Sequence, residues 1–104
     1  MFKNLDNQSF REGLQSPDAV LIDVRTTGEV MEGIIPGAIH IDIMGGSFRD
    51  EVAKLDPSKD YYLYCRSGNR SGAACAALSS LGFERVNNLA QGIMYWDGEV
   101  AVAH

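Results

Sequence analysis

The segment 65–70, Cys-Arg-Ser-Gly-Asn-Arg, combines the residue types that a nucleophilic thiol needs. An ordinary cysteine has a pKa of about 8.5, and a helix N-terminus or neighbouring arginines lower it, which favours the reactive thiolate. The cysteine follows an apolar run and precedes a helix-forming stretch, so a curled loop would direct backbone N–H groups towards it. Gly68 and Asn69 are the residue types that best tolerate the left-handed backbone angles of such a curl. We therefore predict that Cys65 is a nucleophile, against the alternative that it is a small buried residue at a strand end.

The two arginines of this loop predict an anionic substrate. The chain carries a formal net charge of -5, which argues against nucleic acid or an anionic membrane surface as partner. Arg66 and Arg70 nevertheless form a local pair of cations. Because salt screens exposed charges beyond about 8–10 Å, this pair would hold a small anion even in an acidic protein.

The elements around the loop follow an alternating pattern of short strands and helices. Strands are predicted at 3–5, 19–24, 38–41, 61–65 and 85–89; helices at 6–14, from Thr26 or Thr27 to 31, at 47–55 and at 71–81, with a last turn or helix at 93–96. Such alternation predicts an α/β domain with a parallel sheet and helices on both faces. Ligands of these sheets lie at the carboxyl ends of the strands, and Cys65 lies at one such end.

The length and composition predict one globular domain over residues 1–104. A chain of 104 residues with 45% hydrophobic and 22% charged residues is large enough to bury a core without disulfides or metals. Neither a signal peptide nor a long apolar segment is evident, so we expect a cytoplasmic protein with its two cysteines as thiols. Cys75 lies in an Ala-rich helical run and is predicted to be a core residue. His40 is predicted to be a strand residue without a catalytic role.

Four segments, in order, resemble the rhodanese family of sulfurtransferases. Leu-Ile-Asp-Val-Arg at 21–25, followed by Glu29, is similar to the family's "hhDVR…E" segment, and 33–38 is similar to its "GHIPGA" motif. Segment 65–71 resembles the active-site loop, and Leu89, Gly92 and Trp96 resemble the closing "L-x-G-G…W" signature. Departures from the pattern include Ile34 in place of the motif's histidine and Gln91 in place of the first closing glycine.

The resemblance implies a rhodanese-like fold, with a five-stranded, mostly parallel central sheet flanked by helices on both faces. It also implies that Cys65 takes the outer sulfur of a donor such as thiosulfate, becomes a persulfide, and passes the sulfur to cyanide or a thiol. The acceptor thiol would belong to a thioredoxin-like protein or glutathione. No metal or cofactor is expected.

The resemblance also assigns roles to the residues around Cys65. The substrate-binding residues would be those of the loop: Arg66, Ser67, Gly68, Asn69, Arg70 and Ser71. Asp23, Arg25 and Glu29 are expected to support the loop as scaffold. Arg25 and Glu29 are spaced to form an ion pair one helical turn apart.

Three alternatives differ in what the cysteine does. A phosphatase or arsenate reductase of related fold places five residues between its cysteine and arginine, whereas four separate Cys65 from Arg70 here. The shorter loop suits a sulfur atom on the cysteine better than a bound phosphate. A persulfide carrier that receives sulfur from a partner protein would use the same cysteine. A regulatory module without catalysis typically lacks the cysteine altogether.

Overall fold

A computed structural model describes residues 2–102 and shows a parallel sheet of five strands in that range. The strands are β1 (Lys3–Leu5), β2 (Ala19–Asp23), β3 (Ile39–His40), β4 (Asp60–Tyr64) and β5 (Val86–Leu89). They lie in the order β1-β5-β4-β2-β3, and every pairing is parallel. The predicted five-stranded, mostly parallel sheet is therefore confirmed.

The helices connect successive strands, as parallel pairing requires. They are α1 (Asn7–Gly13), α2 (Thr27–Glu32), α3 (Phe48–Ala53) and α4 (Asn69–Ser80), and a 3-10 turn (Ile93–Tyr95) follows β5. The sequence predicted each of these elements, with bounds that differ by up to two residues. Strand β3 is shorter than predicted, since only Ile39 and His40 pair with β2.

Alternate residues of the central strands point to opposite faces of the sheet and build two cores. On one face Ile22, Leu63 and Cys65 pack with side chains of α3 and α4, including Val52 and Cys75. On the other face the core contains Phe10 of α1, Leu21, Tyr62, Tyr64 and Leu89. Helices therefore cover both faces, which explains why the central strands are almost continuously apolar. Cys75 is fully buried, which confirms its predicted place in the core.

Helix α2 differs from the others because none of its residues is buried. Its N-terminus is held by a capping box, in which the Thr26 hydroxyl accepts from the Glu29 N–H and the Glu29 carboxylate accepts from the Thr26 N–H. Such a box satisfies two backbone donors that a helix start leaves free. No helix in the described range is both long and apolar enough to cross a membrane.

Candidate active site

Cys65 follows β4 directly and lies beneath the loop that leads into α4. Its Sγ accepts a hydrogen bond from the backbone N–H of Gly68 at 3.1 Å and lies 3.3 Å from the Ser71 hydroxyl oxygen. The thiol is only 1% exposed, whereas Arg66, Ser67 and Asn69 on the outer side of the loop are exposed. The predicted juxtaposition of cysteine, loop and helix start is therefore present.

Two opposing effects set the pKa of Cys65. Burial alone raises the pKa of a thiol, because it disfavours the charged form. Hydrogen bonds from the Ser71 hydroxyl and from the backbone N–H groups of Ser71, Ser67 and Gly68 favour the thiolate and outweigh burial, so the pKa of Cys65 lies below its ordinary value. A lowered pKa increases the fraction of thiolate, which is the nucleophilic form of a cysteine.

The loop curls at Gly68, which is the residue just before the first turn of α4. Gly68 has φ of +97°, and a Cβ atom at this position would lie 2.2 Å from the carbonyl oxygen of Ala90. Glycine is therefore required here for both backbone conformation and space. Of the two residue types that tolerate left-handed angles in this loop, only Gly68 uses them, because no residue other than glycine has positive φ in the described range. Asn69 instead begins the helix.

The segment after β5 supports the base of the loop. The N–H of Ile93 donates to the Cys65 carbonyl at 2.9 Å, and the N–H of Met94 donates to the Arg66 carbonyl at 3.1 Å. Gly92, with φ of +74°, brings these groups close: a Cβ on it would lie 2.1 Å from the Arg66 carbonyl oxygen. Gln91 is exposed and without positive φ, so replacing the first closing glycine does not disturb this contact.

Arg70 is not free at the loop but forms a two-point ion pair with Glu29 of α2. Its Nη1 and Nη2 donate to the two carboxylate oxygens at 2.7 and 2.8 Å. The Arg70 guanidinium, together with the Thr26 donors, lowers the pKa of Glu29 to about 2 despite partial burial. The expected pair between Arg25 and Glu29 is therefore wrong, since Glu29 binds a more distant arginine that comes closer in the fold.

Arg25 pairs instead with Asp23, and the two form a buried unit beside the site. The Arg25 Nη2 donates to the Asp23 carboxylate at 2.7 Å and to the Gly33 carbonyl at 2.5 Å. The Tyr64 ring lies against the guanidinium, 5.5 Å from it, and the Tyr64 hydroxyl accepts from the N–H of Ile35. Burial and the Asp23 carboxylate both raise the pKa of Tyr64. This network connects the ends of β2 and β4 to the 33–35 segment.

Asn88 of β5 is a site residue that the sequence did not indicate, because it was read only as part of a strand. Its side chain is 3% exposed. The carboxamide donates to the Gly68 carbonyl at 3.2 Å and to the Asn4 side-chain oxygen at 3.0 Å, and its own oxygen lies 2.5 Å from the Ser71 hydroxyl. Two further asparagines, Asn4 on the neighbouring strand β1 and the adjacent Asn87, were the available sequence signals of a polar network.

The remaining predicted residues occupy different surroundings. Arg66 enters no ion pair among residues 2–102 and is the exposed cation of the loop. His40 lies in β3 and its Nε2 is 2.6 Å from the Arg25 carbonyl, away from the Cys65 hydrogen bonds. Burial, and then the proximity of Cys65, raise the pKa of Cys75 to about 12, so the pKa values of the two thiols are shifted in opposite directions.

The fold and the site together define an α/β protein with a buried cysteine of lowered pKa at the start of a loop between a central strand and a helix. The family model of the rhodanese-like domain matches residues 6–99. The chain belongs to the rhodanese-like family, as its resemblance predicted.

Relatives of similar length agree with this assignment. The candidate sulfurtransferase YtwF of Bacillus subtilis is 39% identical over 98 residues, with 93% of this chain and 92% of that protein covered. A sulfurtransferase of Allochromatium vinosum is 36% identical, with 92% of this chain and 89% of that protein covered. A thiosulfate sulfurtransferase of Pseudomonas savastanoi is 34% identical, covering 82% and 78%. Among solved structures, a rhodanese-like domain protein from Staphylococcus aureus has a TM-score of 0.84 at 25% identity, covering 98% and 99%.

Proposed function

We propose that this protein is a sulfurtransferase that carries sulfane sulfur as a persulfide on Cys65. The observation that carries the proposal is the environment of Sγ, which faces the Gly68 N–H and the Ser71 hydroxyl. Donors arranged in this way stabilise a thiolate and, after reaction, a persulfide anion. The sulfurtransferases among its relatives support the same class of reaction.

The first step is the attack of the Cys65 thiolate on the outer sulfur of thiosulfate. A new sulfur–sulfur bond forms, the sulfur–sulfur bond of thiosulfate breaks, and sulfite leaves with the bonding electron pair. The product is the Cys65 persulfide anion. The charge is conserved in this step, so neither an external proton donor nor a redox partner is needed.

The second step returns the enzyme to its thiolate form. Cyanide attacks the outer sulfur and leaves as thiocyanate, or an acceptor thiolate attacks it and leaves as a new persulfide. In each case the bond within the Cys65 persulfide breaks towards Sγ, which again receives the negative charge and the hydrogen bonds of Gly68 and Ser71. A thioredoxin-like protein or glutathione would supply such a thiol.

Thiosulfate is proposed as the donor because of Arg66. Its side chain is exposed at the loop and outside every ion pair of the described residues, so it is available to a small dianion. Arg70 is neutralised by Glu29 and contributes less net charge. The thiosulfate sulfurtransferase among the relatives favours the same donor.

The engagement of Arg70 also weighs against phosphatase or arsenate reductase activity. Those reactions depend on a free arginine that encloses a tetrahedral oxyanion, whereas both terminal nitrogens of Arg70 already bind Glu29. A persulfide carrier loaded by a partner protein requires the same thiol chemistry and differs only in the donor.

The test is intact-protein mass measurement after incubation with thiosulfate. We expect a gain of one sulfur atom that cyanide reverses, that Cys65→Ser abolishes and that Cys75→Ser retains. A gain from glutathione persulfide but not from thiosulfate would identify a carrier with another donor. No gain from either reagent, or hydrolysis of an aryl phosphate at a rate comparable to sulfur transfer, would overturn the proposal.

A further inference from the structure

The hydrogen bonds of Asn88 fix the orientation of its carboxamide. The Gly68 carbonyl can only accept a hydrogen bond, so the group 3.2 Å from it must be the Asn88 nitrogen. The same nitrogen donates its second proton to the Asn4 oxygen. The Asn88 oxygen therefore faces the Ser71 hydroxyl at 2.5 Å, and this oxygen can only accept.

The Ser71 hydroxyl therefore lies within hydrogen-bonding distance of two acceptors. Its oxygen lies 2.5 Å from the Asn88 oxygen and 3.3 Å from the Cys65 sulfur, but a hydroxyl carries a single proton. While Cys65 is a thiol, its S–H can donate to the Ser71 oxygen, and the Ser71 hydroxyl can donate to the Asn88 oxygen. Once Cys65 is a thiolate, its Sγ and the Asn88 oxygen are both acceptors, and the Ser71 hydroxyl can donate its proton to only one of them.

We propose that Asn88 is a positioning residue that competes with the Cys65 thiolate for the Ser71 proton, so that the proton leaves Asn88 only at a cost and the loop activates the thiolate less than it otherwise would. If the Ser71 hydroxyl donates to Sγ, no proton lies between the Ser71 oxygen and the buried Asn88 oxygen. The Asn88 oxygen is then an unsatisfied buried acceptor, which costs free energy. In the persulfide the negative charge moves to the outer sulfur, so Sγ becomes a weak acceptor and the Ser71 proton returns to Asn88. This inference deepens the proposed function, because it concerns the same thiolate.

Other charged and titratable groups near the thiol act on it independently of this exchange. Arg66 belongs to the loop itself, Arg70 and Cys75 to α4, and Asp42 follows β3; Arg70 senses the charges of Cys65, Asp42 and Glu29. None of these groups hydrogen-bonds to the side chain of Asn88 or Ser71 in the described part of the chain. Their effects are therefore common to variants that differ only at positions 71 and 88.

The test measures the pKa of Cys65 from the pH dependence of iodoacetamide alkylation, with the modified peptide identified by mass. Asn88→Leu keeps the branched shape of the side chain but removes the acceptor, and should lower the pKa by about 0.5–1 unit, a threefold to tenfold larger thiolate fraction below the pKa. In the Ser71→Ala background the same change should have no effect. Asn87→Leu is the matched control, because Asn87 neighbours Asn88 on the strand but bonds the Tyr61 carbonyl.

An unchanged or raised pKa in Asn88→Leu would overturn the inference. An equal shift with and without Ser71 would also do so, because Asn88 would then act through the Gly68 carbonyl. Alkylation does not depend on sulfur transfer, so the two proposals fail separately. A protein that forms the persulfide without an Asn88 effect contradicts only the inference, and one with the effect but without sulfur uptake contradicts only the proposed function.

A second measurement uses the unmodified chain and does not depend on the variants folding. The carboxamide carbon resonance of Asn88 should titrate with the pKa of Cys65, because the proton it accepts leaves as the thiolate forms. The Asn87 carboxamide serves as the internal reference and should not follow that titration. An Asn88 resonance that stays constant while Cys65 ionises would overturn the inference.

Discussion

Arg70 of the cysteine loop and Glu29 of α2 form a two-point ion pair between segments 41 residues apart in sequence. The side chains are 30% and 22% exposed, so solvent screens the pair only in part. Helix α2 buries no residue of its own, and the ion pair joins it to the cysteine loop through side chains. The ion pair therefore links α2 to the loop that follows Cys65.

Glu29→Gln should make the protein less stable at neutral pH but not at strongly acidic pH. The folded protein holds the pKa of Glu29 at about 2, against an ordinary value of 4.5. The stabilisation is therefore fully present above the ordinary value and is lost as the pH falls through about 2. We expect a difference in unfolding free energy of about 1 kcal/mol at pH 7.

Urea unfolding of the wild type and of Glu29→Gln, followed from pH 7 to pH 2, measures this difference. Every other carboxylate is common to the two proteins, so its titration cancels. A difference that stays constant over the whole pH range would show that the ion pair is not its source. Glu12→Gln, on the exposed surface of α1, is a control that should show no comparable dependence.

Arg66→Ala and Arg70→Ala should affect different quantities. Arg66 is unpaired in the described range and exposed, so its loss should raise the thiosulfate KM several-fold without changing the melting temperature. Arg70→Ala removes the ion pair and should lower the melting temperature by about 4–8 °C, the equivalent of about 1 kcal/mol in a domain of this size.

The two variants are compared by thiosulfate:cyanide kinetics and thermal unfolding. Arg66→Lys keeps the positive charge and should recover most of the lost affinity if Arg66 acts mainly by charge. If Arg66→Ala leaves KM unchanged, the exposed arginine does not attract this donor. If Arg70→Ala unfolds at the wild-type temperature, the pair does not stabilise the fold.

Gly92→Ala should destabilise the protein by at least about 2 kcal/mol, whereas Gly28→Ala should not. Gly92 combines φ of +74° with a Cβ position 2.1 Å from the Arg66 carbonyl oxygen, so an alanine is strained and displaces the loop. Gly28 lies in α2 with nothing within 4 Å of its Cβ position, and alanine there favours the helix. Thermal unfolding distinguishes the two, and equal effects would contradict this account.

Much of the fold was predictable because its signals are local. The apolar runs of β2 and β4, the turn at Pro36 and the Ala-rich stretch of α4 each determine an element from adjacent residues. The order of the strands in the sheet is not local, and only the resemblance to a known family supplied the expected five-stranded architecture. The position of Cys65 at a strand end followed from the alternation itself.

The ion-pair and hydrogen-bond partners within the site were less predictable, because they are distant from one another in the sequence. Arg25 lies four residues from Glu29, so sequence spacing favoured that pair, but the fold turns Arg25 inward to the buried Asp23 carboxylate. Glu29 is then free for Arg70, which no spacing rule connects to it. The contact of Asn88 with Ser71 depends likewise on the pairing of β5 with β4, and short sequence patterns carry no information about it.

Cys65→Ser should abolish sulfur uptake and thiosulfate:cyanide activity, whereas Cys75→Ser should retain most of both. Cys65 has a lowered pKa and a hydrogen-bonded sulfur, while burial and the nearby Cys65 raise the pKa of Cys75 to about 12. At pH 7 iodoacetamide should therefore modify Cys65 and leave Cys75 intact. Peptide mass analysis locates the modification, and circular dichroism confirms that each variant is folded. Equal loss of activity in both folded variants would contradict the assignment of Cys75 to the core alone.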